Sequence, residues 1–292
     1  MGQQAKRTKL LISIVSYNSL TYLKECLDSI KKYPPSLSFK VVVVDNASGD
    51  GTQDILRKDY RWVSLIANQK NYGFAAANNR ALSSLDSEYV MLMNSDCQVF
   101  EDSLDRIIGF MEENKETGVV GPRILNSDGT LQLSCRRFPS MFYAGAHSLL
   151  TVVYPENPIS RRYKMAGADR SRPFEVDWVS GSAMAVRRKA LEEVGLLDER
   201  FFMYVEDLDL CYRMWKKNWK VYYFPHGEVL HHVGASSRGK SLKSSLMMQK
   251  SVLLFYLKNY RKNWRIIFIP VIVAVLALRI FFSWAKLKLA RP

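Results

Sequence analysis

Short apolar segments alternate with helix-like segments over the first third of the chain, and this alternation restricts the possible folds most. The apolar segments lie at residues 9–15, 39–44, 63–66 and 89–93. Between them, leucine, isoleucine and alanine recur at the three- and four-residue spacing of helices. Strands that alternate with helices predict an α/β fold with a doubly wound, mostly parallel central sheet. Ligands of such a sheet bind outside the carboxyl ends of its strands, so function is expected there.

Polar residues directly follow several of these apolar segments. They are Ser16 and Asn18 after the first, Asp45 and Asn46 after the second, and Asn94 and Asp96 after the fourth. A carboxylate at the end of a parallel strand is well placed to hold a metal ion on a phosphate, which makes Asp96 the first functional candidate. The alternative is structural, because residues 94–96 also fit a turn that caps a helix beginning near Ser103.

Gly73 precedes a run of three alanines at the predicted start of a helix. A glycine at this place lets backbone N–H groups approach a diphosphate closely. The alanines are also good helix formers in their own right, so the pattern leaves a purely structural interpretation open.

A second group of acids, Glu206, Asp207 and Asp209, follows an aromatic segment. If a helix begins at Glu206, its N-terminal dipole favours all three acids, and Asp209 pairs with Arg213 four residues later. That structural explanation is sufficient by itself. Adjacent carboxylates also raise the pKa of one another, however, which is what a general base requires.

Two segments between these groups have interpretable patterns. Residues 124–133 predict a hairpin around an Asp-Gly turn. Residues 178–186 are apolar and small, and they predict one strand in which Gly181 and Ser182 allow another group to approach closely.

His231 is one of only four histidines, and it comes soon after a last predicted strand at residues 220–224. A neutral imidazole is a common ligand of transition metals, although a histidine pair is more often a hydrogen-bonded surface feature. Asp96 and His231 share one ion only if the fold brings them together.

The formal net charge of +14 requires an anionic partner, and anionic lipid is favoured over nucleic acid. The reason is that basic residues become denser around the last apolar segment, at Lys258, Arg261, Lys262, Arg265, Lys286, Lys288 and Arg291. The four cysteines have no C-x-x-C spacing and the first apolar segment is too short for a secretory signal. These features predict free thiols in a reducing cytosol.

The C-terminal segment predicts membrane attachment. Residues 241–264 mix apolar and basic residues at helical spacing, which suits a helix lying in the membrane interface. Residues 266–284 contain only one charge, and as a helix of ~28 Å they are just long enough to cross a bilayer. Four alternatives remain open for this segment: a spanning helix, a hairpin, an in-plane helix and a buried soluble helix. We therefore predict a catalytic domain at 1–240, with halves 1–125 and 126–240, and membrane-attachment helices at 241–292.

Residues 234–241 match the phosphate-loop pattern G-x-x-x-x-G-K-[ST] in every fixed position. A nucleotide hydrolase would need further strands after this loop, including one that ends in a metal-binding acid. The loop is succeeded only by one predicted helix and a hydrophobic tail, so an NTPase is kept only as an alternative.

Taken in order, these motifs resemble the inverting family-2 glycosyltransferases, and within them a rhamnosyltransferase-like branch, over roughly residues 10–237. The matching motifs are IVSYN at 14–18, VDNAS at 44–48, NYGF at 71–74, ANN at 77–79, NSD at 94–96, WVSGS at 178–182, EDLD at 206–209, and His231 with Gly234 and Ser236. The resemblance implies a GT-A fold that binds a nucleotide-diphosphate sugar.

The resemblance also implies roles for individual residues. The donor would be bound by Ser16, Asn18, Asp45, Asn46, Gly73, Asn78, Asn94 and Asp96, with Asp45 on the pyrimidine base. Asp96 and His231 would hold Mg²⁺ or Mn²⁺ on the diphosphate. The acceptor would be bound by Trp178, Gly181, Ser182 and Glu206. Asp207 would be the general base, with Glu206 and Asp209 as supporting acids. Asn94 stands where the family's metal-binding triplet has an aspartate.

Together these observations predict a metal-dependent inverting glycosyltransferase at the cytoplasmic face of the cell membrane. A divalent ion stabilises the departing diphosphate, and one base suffices for a single displacement with inversion. The resemblance favours transfer of rhamnose from dTDP-rhamnose to a polyprenyl-diphosphate-linked saccharide during surface-polysaccharide synthesis. The alternatives are another sugar from a UDP-sugar, the NTPase, and a non-catalytic membrane scaffold.

Overall fold

The computed structural model describes residues 8–138, 154, 157–232, 242–260, 267 and 269–278. Its strands are β1 (Thr8–Ser16), β2 (Phe39–Asp45), β3 (Ser64–Ala67), β4 (Ser87–Asn94), β5 (Cys97–Val99), β6 (Thr117–Leu125), β7 (Leu131–Gln132), β8 (Cys135–Arg136), β9 (Phe174–Glu175), β10 (Trp178–Val179), β11 (Ala183–Arg187) and β12 (Lys220–His231). Its helices are α1 (Leu20–Lys32), α2 (Thr52–Asp59), α3 (Phe74–Ser84), α4 (Ser103–Glu113), α5 (Pro158–Tyr163), α6 (Arg188–Val194), α7 (Glu206–Lys216) and α8 (Leu242–Tyr260). Residues 269–278 are also helical.

The first half of the chain forms the predicted parallel sheet, in the order β3-β2-β1-β4. β1 is buried on both faces, because Leu11 belongs to one hydrophobic cluster while Leu10 and Ile12 belong to the other. Each such side chain contributes about 1.5–3 kcal/mol by leaving water. The parallel register places Ser16 beside Asp45 and therefore brings the polar strand ends to one edge.

The second half extends this sheet with strands of both directions, so the fold is mixed α/β. β11 lies between β4 and β6 and is antiparallel to both, whereas β12 is parallel to β6. The short β5 pairs with the end of β12 and places Cys97 opposite His231. The predicted hairpin at 124–133 is confirmed by the antiparallel pairing of β6 with β7.

The prediction of a single strand over 178–186 is wrong. β10 pairs with β8 in a separate two-stranded sheet, and β11 joins the main sheet only from Ala183. Residues 180–182 leave both sheets because the Gly181 N–H turns to donate a hydrogen bond to Asp207. Periodicity does not detect this break, since small and apolar residues continue through it.

The structural alternative for residues 94–96 is confirmed for the turn and wrong for the helix cap. Ser95 and Asp96 form a turn that leads directly into β5, and the residue that precedes α4 is Asp102. Asp96 is thus fixed at the turn between two strands and does not cap a helix.

Helix α8 packs against the domain, although its residues were predicted to lie in the membrane interface. Phe255 and Tyr256 are fully buried in a hydrophobic cluster. The Lys258 ammonium contacts Asp198 and Asp209, each at 2.7 Å. The interpretation of Lys258 as a lipid-binding charge is therefore wrong, because its charge is used inside the protein.

None of the described helices is both long enough and apolar enough to cross a membrane. The segment predicted at 266–284 is described only at 267 and 269–278, and the phosphate-loop pattern at 234–241 lies outside the described residues. The division of the chain at residue 240 stays a prediction.

Candidate functional site

Asp45 ends β2 at the edge of the sheet and is fully buried. Its Oδ2 accepts hydrogen bonds from Gln53 Nε2 at 2.8 Å and from the Ser48 N–H at 3.1 Å. Its Oδ1 has no hydrogen-bond partner among the described residues. A buried acceptor without a donor is costly, so this oxygen is suited to an N–H or O–H group of a ligand.

A row of hydroxyl groups connects the end of β1 with the turn after β4. Ser16 Oγ lies 3.1 Å from Ser19 Oγ, which lies 2.9 Å from Ser95 Oγ. Ser95 is the neighbour of Asp96, so the chain of hydroxyl groups spans the strand ends from which donor binding was predicted. Asn18, by contrast, is exposed, and its Oδ1 accepts a hydrogen bond from the Gly49 N–H at 2.8 Å.

Asn46 fixes the loop that precedes α3. Its Nδ2 donates to the Gly73 carbonyl at 3.2 Å, and its Oδ1 accepts from Asn68 Nδ2 at 2.7 Å. Asn68 in turn accepts a hydrogen bond from Arg80, whose guanidinium lies over the Tyr72 ring. This buried network sets the position of Gly73 relative to the strand ends.

Gly73 has a structural reason to be glycine. Its φ of +85° lies in the left-handed region, and a Cβ built there would lie 2.2 Å from the Phe202 carbonyl oxygen. The same carbonyl accepts a hydrogen bond from the Phe74 N–H at 2.7 Å. The segment before α7 is therefore joined to the start of α3 by a backbone hydrogen bond at Phe202.

We expect Gly73→Ala to lower the free energy of unfolding by about 2–3 kcal/mol, because backbone strain adds to the collision with Phe202. Urea unfolding of the variant measures this loss. Gly109→Ala is the matched control, since Gly109 lies inside α4 with nothing within 4 Å of the added Cβ. That variant should gain roughly 0.5–1 kcal/mol from helix propensity. Equal stability of both variants would contradict the contact.

Asn78 lies in the core and does not project from the strand ends. It is fully buried, and its Oδ1 accepts from Ser13 Oγ at 2.7 Å while its Nδ2 donates to the Phe74 carbonyl at 3.1 Å. These bonds join α3 to the middle of β1. A direct role of Asn78 in donor binding stays a prediction.

The fold brings Asp96 and His231 together, as a shared ion would require. His231 Nε2 lies 3.3 Å from Asp96 Oδ1, and both side chains are largely buried. The pairing of β5 with β12 creates this approach, because it places the ends of two strands that are distant in sequence side by side.

The geometry around His231 fits a divalent cation. His231 Nδ1 lies 2.9 Å from Gln132 Oε1, and the Gln132 amide is oriented by a 3.0 Å hydrogen bond from its Nε2 to Asn126 Oδ1. A neutral imidazole that donates its Nδ1–H to Gln132 presents the Nε2 lone pair toward the Asp96 carboxylate. Two lone pairs at this distance repel each other unless a cation lies between them.

Two neighbours complete this candidate metal site. The ligand atoms of Asp96, Cys97 and His231 all lie within 4.8 Å of one another. Burial and the charge of Asp96 raise the pKa of the Cys97 thiol, which donates a hydrogen bond to the Ser182 carbonyl at 3.2 Å. Asn94 Nδ2 is 3.5 Å from His231 Nε2, too long for a strong hydrogen bond. Asp96 and His231 are thus the candidate ligands of this site, and Asn94 is a neutral neighbour.

Asp207 is held at the start of α7 by two backbone N–H groups. The Gly181 N–H donates to Oδ2 and the Leu208 N–H to Oδ1, both at 2.8 Å. Burial raises the pKa of Asp207, whereas these hydrogen bonds and the charge of Arg136 act in the opposite direction. A carboxylate with a raised pKa is a stronger base than an ordinary one, so this position is suited to accept a proton.

Glu206 is the acid of this pair whose pKa is raised by both burial and a neighbouring charge. Burial and the charge of Asp207 raise the pKa of Glu206 well above its usual range. Its Oε2 has no hydrogen-bond partner among the described residues. A neutral, buried carboxyl group beside the base is therefore ready to form a hydrogen bond with a bound molecule. The preceding Val205 has a φ of +73°, a strained conformation of the kind that occurs at functional sites.

Asp209 has a structural role. It is fully buried and pairs with Arg213 at 2.9 Å, which confirms the contact expected from their spacing. Lys258 of α8 supplies a second cation at 2.7 Å. Because both cations bind the Asp209 carboxylate, Asp209 is not available as a supporting acid beside Asp207.

Residues 180–182 connect the two halves of the site. The Gly181 N–H binds Asp207, while the Ser182 carbonyl accepts from the Asn94 N–H at 2.8 Å, next to the metal ligands. Gly181 has no room for a larger side chain, since a Cβ would lie 3.2 Å from Asp207 Cβ. Trp178 lies under this loop with its Nε1 bonded to the Arg137 carbonyl at 3.0 Å.

Sequence reasoning missed three residues of the site. Gln132 orients His231, Ser19 links the serine hydroxyl groups, and Arg136 lies over Trp178 beside Asp207. All three are polar residues in segments whose patterns predict only hairpins and turns. Without the fold, nothing distinguishes them from surface residues.

The segment that contains the parallel strands, Asp96 and the 180–182 loop is matched by a known family. The family model described as "Glycosyl transferase family 2" matches residues 11–195. The chain belongs to this family. It is a glycosyltransferase, and the expected resemblance is confirmed.

Two curated relatives are similar over most of the glycosyltransferase. An N-acetylglucosaminyl-diphospho-decaprenol L-rhamnosyltransferase of Mycobacterium tuberculosis is 33% identical over 270 residues, which cover 88% of this chain and 86% of that protein. The rhamnosyltransferase WbbL of Escherichia coli is 26% identical over 237 residues, covering 78% and 84%.

A solved structure has the same fold. The mannosyltransferase PcManGT from Pyrobaculum calidifontis, in complex with GDP-Man and Mn²⁺, superposes with a TM-score of 0.60. The match covers 98% of this chain and 76% of that one at 19% identity, so it establishes the fold alone.

Proposed function

We propose that this glycosyltransferase is metal-dependent and moves rhamnose, with inversion, from dTDP-rhamnose to a polyprenyl-diphosphate-linked saccharide in surface-polysaccharide synthesis. The observation that carries the proposal is the pairing of Asp96 with His231 beside a separately held base, Asp207. The relative from M. tuberculosis acts on N-acetylglucosaminyl-diphospho-decaprenol by its name, and this supports the donor sugar and the acceptor class.

Asp96 and His231 would hold Mg²⁺ or Mn²⁺, and the mannosyltransferase structure with Mn²⁺ supports a cation of this kind. When bound, the cation would stabilise the charge that develops on the departing diphosphate. Gln132 would keep the His231 lone pair directed at the ion. Ser95 and Ser19 would offer hydroxyl groups on the donor side.

The donor base would lie against Asp45. The open Oδ1 of Asp45 is an acceptor, and the imide N–H of thymine or uracil is a matching donor. Both dTDP- and UDP-linked sugars satisfy this contact. The preference for rhamnose rests on the two relatives named as rhamnosyltransferases.

The acceptor would enter from the side of Trp178 and the 180–182 loop. Asp207 would take the proton from the attacking hydroxyl group, and the neutral Glu206 would donate a hydrogen bond to the acceptor sugar. A single base directed at one face of the donor fits a displacement with inversion.

A membrane location at the cytoplasmic face would bring the site to a lipid-linked acceptor. Several apolar side chains of the C-terminal segment are exposed to solvent, namely Ile267, Val271, Val273 and Leu278. Exposed apolar patches of this kind commonly mark a membrane or protein contact.

The test is calorimetric binding of dTDP and UDP to the full-length protein, each with and without Mn²⁺. We expect Mn²⁺ to strengthen nucleotide binding, and Asp96→Ala to reduce that gain by at least about tenfold because a ligand is lost. Asp28→Ala is the control, since Asp28 binds only the Tyr60 hydroxyl at 3.0 Å in the described part of the chain. Nucleotide binding that is independent of Mn²⁺ would sink the metal-dependent mechanism.

A further inference from the structure

Arg136 is held in a defined position next to the base. It lies in β8 opposite Trp178 of β10, and its guanidinium carbon is 4.7 Å from the centroid of the Trp178 ring. The side chain is half-buried. Stacking on the indole fixes the plane of the guanidinium group and leaves its N–H groups available at the edge.

Within the part of the chain that the structure describes, the charge of Arg136 is not used by the fold. Its guanidinium makes no hydrogen bond and no ion pair with any residue that the structure describes, whereas those of Arg187, Arg188 and Arg213 donate to several backbone carbonyls. A half-buried cation without a partner is unfavourable in the free protein, so its position is better explained by a bound anion.

Backbone contacts connect the strand of Arg136, β8, to the loop at residues 180–182. β8 pairs with β10, and the Ser180 N–H donates to the Ser134 carbonyl at 2.8 Å. The next residue, Gly181, donates to Asp207 at 2.8 Å. Arg136 is also close enough that its charge lowers the pKa of Asp207. The cation and the base therefore belong to one rigid unit.

A second polar group in the same segment lacks a partner. Ser134 is 3% exposed, and its hydroxyl has no hydrogen-bond partner among the described residues. Ser134 lies two residues before Arg136 and directly precedes β8. A hydroxyl group and a guanidinium group together form a common donor set for phosphate oxygens.

We propose that Arg136, stacked on Trp178, binds the phosphate next to the acceptor sugar. This inference rests on the proposed function, in which the sugar that attacks is linked to a diphosphate. Asp207 must reach the attacking hydroxyl group, so the phosphate at the other end of that sugar lies one ring away. A fixed cation beside the base is where such a phosphate gains a charge-assisted, bidentate contact.

The test compares two acceptors with the same sugar, prenyl-diphosphate-linked N-acetylglucosamine and an alkyl glycoside of N-acetylglucosamine. With the full-length enzyme, we expect Arg136→Ala to raise KM for the diphosphate acceptor by about 10–100-fold, the range of hydrogen bonds to a charged group. KM for the alkyl glycoside should not change. Arg136→Lys should fall between wild type and Arg136→Ala, because it keeps the charge but loses the bidentate geometry.

Arg137→Ala is the matched control. It removes the same charge one residue away, from an exposed side chain. It should leave KM for both acceptors unchanged. An equal effect of Arg136→Ala and Arg137→Ala would mean that general basic charge attracts the lipid, and would overturn the assignment.

Two further results would overturn it. Equal losses on both acceptors would mean that Arg136 acts through Asp207 or through folding, and weaker binding of dTDP with Mn²⁺ would place Arg136 on the donor phosphates. A binding measurement with the diphosphate acceptor, made without the sugar donor, separates this proposal from the proposed function.

If the wild type binds the acceptor more tightly than Arg136→Ala but transfers no sugar, only the proposed function is contradicted. If the wild type and Arg136→Ala bind the acceptor equally, the role of Arg136 is overturned.

Discussion

Asp207→Asn is expected to lower the rate of sugar transfer by about 10²–10⁴-fold while leaving metal-dependent nucleotide binding intact. The amide keeps an oxygen for one of the backbone N–H donors from Gly181 and Leu208, but it cannot accept a proton. Steady-state transfer and calorimetric nucleotide binding, measured on the same preparation, separate the chemical step from the binding step.

Glu206→Gln is the control for this variant. Because Glu206 is held neutral by burial and by Asp207, a neutral amide imitates it, and we expect a far smaller loss of activity. Transfer that survives Asp207→Asn at the wild-type rate would assign the base elsewhere. A biological role that survives without transfer would favour a scaffold.

The same assignment fixes the pH dependence. The pKa of Asp207 is raised by burial, and only its charged form accepts a proton. At a pH below this pKa the base is protonated and transfer is slow, and kcat/KM rises as the pH passes upward through it. In the Asp207→Asn variant this rise should disappear from the pH profile.

The second large effect concerns stability. Asp209→Ala is expected to lower the free energy of unfolding by about 3–5 kcal/mol, because it leaves Arg213 and Lys258 without their shared carboxylate. Asp209 is fully buried, so solvent does not screen these contacts. Urea unfolding followed by circular dichroism gives the change.

Asp54→Ala provides the matched comparison, since Asp54 forms an exposed pair with Arg57 at 3.6 Å. That variant should lose no more than about 1 kcal/mol. If both variants lose the same small amount, the ion pairs between α7 and α8 do not hold the helix in place.

The features that could be predicted from the sequence are those with a local pattern. The spacing of apolar residues along the chain predicts the parallel strands and the start of α7 at Glu206. The four-residue spacing of Asp209 and Arg213 predicts their ion pair. The order of the polar strand ends along one sheet edge follows from the rules of parallel sheets. These rules placed Asp45 and Asp96 correctly before any contact was known.

The features that could not be predicted depend on contacts between distant parts of the chain. Gln132 and His231 meet only because β7 and β12 both pair with β6. Lys258 lies in a segment whose spacing of apolar and basic residues suits a membrane helix. Its buried partner Asp209 lies in α7, so the sequence around Lys258 does not indicate the ion pair. The break at 180–182 depends on a hydrogen bond to Asp207, which leaves no trace in the alternation of small residues.

The loop at 180–182 has a consequence for engineering new specificities. It contacts Asp207, the proposed base, through Gly181 and the end of β4, beside the proposed metal ligands, through Ser182, so it acts as a spacer between these two positions. A chimera that exchanges only one half of the protein with a relative would change that spacing. Residues 94–97, 180–182 and 206–209 are best transplanted as one block, with the surrounding surface left free for redesign.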